Sequence, residues 1–212
     1  FIGIHREDLE QFNIKKEVMR LNAFIIDEFY SNVDEVRQFA LEQDFNVTGN
    51  YPGPRTKSFL NDSIKEVING VISPHWGDVI YWGSEEYTGA YQFTTSRDRS
   101  WIHCDQTTRW AGVCFLTPNA PLSSGTGIFK HKPTGLIECP KLENGETDKE
   151  LLGEIYKDAQ DYTKWELVDR FANIYNRLII YRGDFFHQSL DYFGQDKYDG
   201  RLFQTFFFNT EK

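Results

Sequence analysis

From Val79 onward the chain is a succession of short β-branched and aromatic segments separated by turn signals: VIYW, YTGAYQFTT, SWIHCD, WAGVCFL, TGIFKH, RLIIY and RLFQTFFF. Segments this short at this spacing point to a β-sandwich or a closed β fold. The 18 Phe, 11 Tyr and 5 Trp agree, because such side chains suit pleated, half-buried surfaces. One stretch breaks the series. Glu143 to Phe171 is acidic and carries a helical run, DKELLGEIYKDAQ, from Asp148 to Gln160. It reads as a helical insertion near residues 138–173, a solvated decoration with Leu151, Leu152 and Ile155 laid on the core. A cover over an active site is the alternative.

Residues 1–78 read as a helical support region for a β core over 79–212, the whole being one mainly β (α+β) domain. Ala23 to Phe29 has the texture of a strand. Ser31, with Asp34 three residues on, opens a helix in which Val33, Val36, Ala40 and Leu41 keep a helical period. Asn61-Asp62 caps a second helix with Ile64, Val67, Ile68 and Val71 as its stripe, ended by Pro74 and Gly77. Between the helices, Asn50 to Arg55 (NYPGPR) reads as a turn held by Pro and Gly. Tyr51 and Arg55 as substrate contacts are the other reading of that loop. The first 20 residues are mixed and charged and take no assignment.

Composition excludes several functions. A net charge of −9 argues against general nucleic-acid binding, which needs cations for the phosphates. No apolar run exceeds four residues, too short for a membrane-spanning helix, and no secretory hydrophobic segment opens the chain. The three cysteines, 104, 114 and 139, include no C-x-x-C. That disfavours a disulfide scaffold or a thiolate zinc site and fits a reducing, cytoplasmic setting.

Among the five His, His103 alone begins an H-x-D triplet, His103-Cys104-Asp105. On a strand, residues two apart share a face, so His103 and Asp105 project together. An imidazole beside a carboxylate supplies two ligands of a 2-His-1-carboxylate facial triad. His187, after the strand RLIIY and the turn Arg182-Gly183-Asp184, is placed to be the third. His131, inside GIFKH, reads as structural. His5 and Glu7 also form an H-x-E pair, but without a partner. Arg97, Arg99 and Arg109 cluster around the H-x-D strand, either to attract an anionic substrate or to balance acids.

This pattern resembles the non-haem Fe(II), 2-oxoglutarate-dependent dioxygenases, on the side of the prolyl-hydroxylase-like and phage-bacterial hydroxylase-like members. The shared elements are H-x-D (His103, Asp105), a Gly-rich turn (Gly125, Gly127), a distal His (His187), and an Arg on the last core strand (Arg201). The resemblance implies a double-stranded β-helix, a cupin-like jelly roll with the N-terminal helices packed outside. It implies Fe(II) held by His103, Asp105 and His187, with 2-oxoglutarate and O2 as co-substrates. Arg201 would clamp the far carboxylate of 2-oxoglutarate, which a guanidinium can do with two hydrogen bonds. A hydroxyl often stands two residues after that Arg. Here the position is Phe203, which leaves Tyr91 or Thr205 to support the carboxylate, Tyr91 being preferred. Because Asp105 is present, hydroxylation is expected rather than halogenation. The substrate, a small molecule or a peptide side chain, is not named by the sequence.

Two other classes fit parts of the pattern. A cupin-like metal enzyme without 2-oxoglutarate would leave Arg201 without a role. A non-enzymatic β-sandwich binding module would bring no inward cluster of His103, Asp105 and His187.

Overall fold

A computed structural model describes residues 21–212 of the chain. The His5–Glu7 pair lies outside the described residues. Ten strands and three α-helices are formed among them: β1 Ala23–Ile26, α1 Val33–Glu42, β2 Arg55–Ser58, α2 Asp62–Trp76, β3 Val79–Trp82, β4 Ala90–Thr94, β5 Trp110–Phe115, β6 Thr126–His131, α3 Lys149–Tyr156, β7 Trp165–Phe171, β8 Leu178–Arg182, β9 His187–Ser189 and β10 Arg201–Thr210. All strand pairs are antiparallel. The larger sheet runs β1-β8-β5-β10-β4-β2, with β3 on the far half of β10, and the smaller runs β7-β6-β9. A bridge between His103 and His187 adds a fourth rung to the smaller sheet. The result is a double-stranded β-helix, a jelly roll of two facing sheets.

Strand alternation divides the larger sheet into two apolar faces. Along β10, Leu202, Phe206 and Phe208 join the outer cluster, which also holds Ile68, Ile72 and Trp76 of α2 and Ala40 and Leu41 of α1. The intervening Phe203 and Phe207 belong to the inner cluster with Val113, Phe115, Ile179 and Tyr181. An aromatic strand with apolar residues on both faces is thus explained by helices outside and a second sheet inside. The helices form as their apolar periods require. Asn61 Oδ1 accepts the backbone N–H of Ile64 (2.9 Å) at the start of α2. The buried stripe there is Ile64, Ile68, Ile72 and Trp76, so the expected Val67 points outward instead, 51% exposed. Helix α2 also runs through Pro74 to Trp76. A single missing donor in the last turn costs little when Trp76 is anchored, and its indole N–H donates to the Leu21 carbonyl (2.8 Å).

Three further expectations are corrected. The NYPGPR loop leads into a short strand, β2, that pairs with β4. SWIHCD is not a strand but an irregular segment with one bridge, at His103. The acidic insertion is not only a decoration. Its second half forms β7, which pairs along β6, and its helix buries Leu152 and Ile155 against Ile102, Phe129 and Phe186. Asp148 caps that helix by accepting the Leu151 N–H (3.0 Å). No helix among the described residues is long and apolar enough to cross a membrane.

Candidate metal centre

Backbone pairing brings the H-x-D triplet and the distal His together. His103 N–H donates to the His187 carbonyl (3.0 Å) and His187 N–H returns the bond to the His103 carbonyl (2.7 Å). Asp105 N–H donates to the Gly183 carbonyl (2.7 Å) in the turn between β8 and β9. Side chains two residues apart therefore emerge on one side although the segment is not a regular strand. One ligand atom from each of His103, Asp105 and His187 lies within 4.8 Å of the others. A single ion with bonds of roughly 2.0–2.2 Å can gather such a set with small rotations.

The protonation states suit a cation. His103 Nδ1–H donates to the Trp101 carbonyl (3.0 Å) and His187 Nδ1–H to the Phe185 carbonyl (2.8 Å). A carbonyl only accepts, so each ring keeps its Nε2 lone pair free, the arrangement in which metal-binding histidines are held. Burial pushes both imidazoles down to about 4, with the neighbouring His187 adding to the effect at His103. Both are therefore neutral near pH 7, as ligation needs. Burial raises Asp105 to about 6, against the pull of His103 and Arg55. Its Oδ2 is buried with no hydrogen-bond partner among the described residues. An ionised, unsatisfied carboxylate beside two imidazole lone pairs lacks one thing, a positive charge, and a divalent metal fits. Gly183 makes room for it: a Cβ there would stand 2.7 Å from Asp105 Oδ2.

The cluster lies in the wall of a cavity of about 530 Å³. Aromatic side chains, among them Tyr51, Trp101, Tyr156, Tyr181 and Phe207, share the lining with Ser, Thr, Asn and Gln side chains. Tyr156 comes from α3, and its hydroxyl meets the backbone N–H of Cys104 (3.2 Å). The insertion thus supplies part of the cavity wall, the reading that ranked second.

The remaining expected residues separate. Arg201 is 1% exposed, on the inner face of β10 but outside the cavity lining. Its Nε donates to the Ser124 carbonyl (2.9 Å) and its guanidinium lies over the Phe203 ring at 4.3 Å. Its Nη1 is buried without a partner among the described residues, as is the hydroxyl of Tyr192, which burial keeps protonated. Burial lowers Arg201 to about 10, still cationic at neutral pH. Gly125 lets the turn before β6 pass close to the Phe171 backbone, since a Cβ there would collide with the Phe171 carbonyl oxygen. Thr205 lines the cavity, but its hydroxyl already donates to the Tyr87 carbonyl (2.6 Å). Tyr91 does not face the cavity. Alternation along β4 turns it to the outer cluster, against Phe59 (5.6 Å) and Phe39 (6.3 Å), and turns Gln92 inward. His131 is buried and bonded to Thr134 and Asp158. Sequence reasoning missed Tyr181 and Tyr192. Tyr181 was findable, because in LIIYR the residues alternating with Leu178 and Ile180 must face inward.

A model of a family of unknown function, DUF6445, matches residues 10–208. The chain belongs to this family. No curated protein matches the DUF6445 chain by sequence. Its fold is similar to that of HygX from Streptomyces hygroscopicus, solved with nickel, 2-oxoglutarate and hygromycin B bound, at 9% identity over 98% of this chain and 88% of that one, TM-score 0.57. It is also similar to EctD from S. alaskensis in its apoform, at 12% identity over 98% of this chain and 77% of that one, TM-score 0.50. At these identities the likeness establishes the shared fold of this DUF6445 member.

Proposed function

We propose that this protein is a non-haem Fe(II), 2-oxoglutarate-dependent dioxygenase that hydroxylates an unactivated C–H bond of a small molecule or peptide side chain, releasing succinate and CO2. The carrying observation is the convergence of His103, Asp105 and His187 with Asp105 Oδ2 left unsatisfied. Support comes from the fold shared with HygX, which was solved with nickel and 2-oxoglutarate. The narrower prolyl-hydroxylase-like placement rests on the sequence pattern.

Two neutral imidazoles and one carboxylate on one face leave further positions open to small ligands. Iron with 2-oxoglutarate and O2, when bound, supplies the oxidising power for C–H hydroxylation. The chain supplies position. Backbone carbonyls of Trp101 and Phe185 hold the two rings with Nε2 presented. The unspent Nη1 of Arg201, with the Tyr192 hydroxyl, provides donors for the far carboxylate of 2-oxoglutarate. Aromatic walls from Tyr156, Trp101 and Phe207 exclude water from the reacting group. Three buried free thiols suit a reducing cytoplasm.

The test is conversion of 2-oxoglutarate to succinate by purified protein, which even without the true substrate proceeds as a slow uncoupled reaction. Succinate that requires Fe(II) and disappears in His187→Ala supports the proposal. Succinate absent under all Fe(II) and O2 conditions, from protein that binds the metal, refutes it.

A further inference from the structure

Arg55 opens β2 and is 5% exposed, yet it lines the cavity together with His103 and Asp105. Its guanidinium is held on two sides. Nε donates to Gln92 Oε1 (2.7 Å), and the Tyr51 ring stacks beneath the guanidinium carbon at 3.6 Å. Nη1 remains buried with no partner, and so does the Tyr51 hydroxyl. A fixed guanidinium with an unspent donor is costly unless something satisfies it. Nothing among the described residues does. Among the described residues, Asp105 is the sole acid in the cavity lining, and its Oδ2 is likewise unpaired, so the two do not bond each other.

We infer that Arg55 is the anchor for an anionic group of the substrate, and that the cavity takes a carboxylate borne on an aromatic or aliphatic body. Among the described residues the lining contains one cation, Arg55, which matches a monoanion better than a dianionic phosphate. A planar carboxylate also fits the guanidinium edge, while Tyr51, Tyr87 and Phe207 around Arg55 receive the body. Ligands rich in ammonium groups find no carboxylate to pair with once Asp105 is engaged by metal. The inference deepens the oxygenase reading and rests on it in one respect: Arg201, not Arg55, holds 2-oxoglutarate.

The experiment is anaerobic calorimetry with 3-phenylpropanoate and its primary amide, on the full chain with Fe(II) and saturating 2-oxoglutarate, and again on chelator-treated protein. Wild type should bind the carboxylate at least tenfold more tightly than the amide in both states. Arg55→Gln should erase the difference while keeping 2-oxoglutarate affinity within about twofold, and Arg55→Lys should keep part of the preference. Equal affinities in wild type, no binding of the carboxylate, or a preference that survives Arg55→Gln overturns the inference. Loss of 2-oxoglutarate binding in Arg55→Gln also overturns it, by making Arg55 the co-substrate's anchor. If Arg55→Gln does not fold, the wild-type pair and Arg55→Lys decide. A wild type that prefers the carboxylate but never binds 2-oxoglutarate sinks the oxygenase reading and leaves the anion site standing.

Discussion

His103 and His187 exchange both of their backbone hydrogen bonds, and their rings lie 4.4 Å apart between centroids. A narrow rung of sheet thus sets the spacing of two imidazoles, and the bond from the Asp105 N–H to the Gly183 carbonyl sets the carboxylate beside them. The geometry belongs to the backbone, so side-chain truncation should remove ligation without unmaking the fold. His103→Ala or His187→Ala should lower Fe(II) affinity by at least 100-fold, measured by anaerobic titration, with the circular dichroism spectrum unchanged. Retained affinity in both variants would show that the metal sits elsewhere.

Asp105 predicts a conflict between stability and function. Its buried, unpaired carboxylate costs the fold roughly 1–3 kcal/mol when no cation is bound. Asp105→Asn should therefore raise the denaturation midpoint of chelator-treated protein while weakening metal binding. A clear loss of stability instead would mean the carboxylate has a partner within the protein.

Gly183 is a spacing residue. A methyl at its Cβ position meets Asp105 Oδ2 at 2.7 Å, so Gly183→Ala should displace the carboxylate. The expected result is a fold-intact protein with metal affinity reduced about tenfold, corresponding to roughly 1.4 kcal/mol. Gly153, where a Cβ meets nothing within 4 Å, is the control, and Gly153→Ala should leave metal binding alone.

Arg201 is expected to act on the co-substrate and not on the metal. Arg201→Gln should weaken 2-oxoglutarate binding by about 30-fold or more, since losing one partner of a buried charge pair costs roughly 2–5 kcal/mol. Fe(II) affinity should not change. Equal weakening of both, or of neither, contradicts the role.

The α3 segment separates decoration from core. Leu152 is 3% exposed, packed in the cluster behind the smaller sheet. Leu152→Ala should cost about 2–5 kcal/mol in chemical denaturation. A decorative helix would lose within roughly 0.5 kcal/mol.

Much of this was legible in the residues because period and turn chemistry are local. A sandwich or closed β fold followed from short segments such as RLFQTFFF, the jelly roll from the family resemblance, and the convergence of His103, Asp105 and His187 from one triplet and one strand mouth. Other features depend on pairing that no local pattern reports. Arg55 to Ser58 (RTKS) has no apolar run, and it is a strand only because β4 lies beside it. WELVDRF has a mostly exposed face and looked like part of an acidic insertion, yet β6 recruits it. Tyr91 failed on parity: one residue along β4 separates the cavity from the helix face, and the register with β10 (Gln204 opposite Tyr91) decides which. Arg55 stood in the second reading of the NYPGPR loop, because the motif reads first as a turn and no local pattern reports that its side chain enters the cavity.

The most direct measurement is anaerobic titration of 2-oxoglutarate into Fe(II)-loaded protein, followed by visible absorption. One iron per chain and a charge-transfer band that saturates at one equivalent of 2-oxoglutarate, absent in His187→Ala, is the predicted result. Iron that fails to bind, or a band that forms equally well without His187, would contradict the proposed centre.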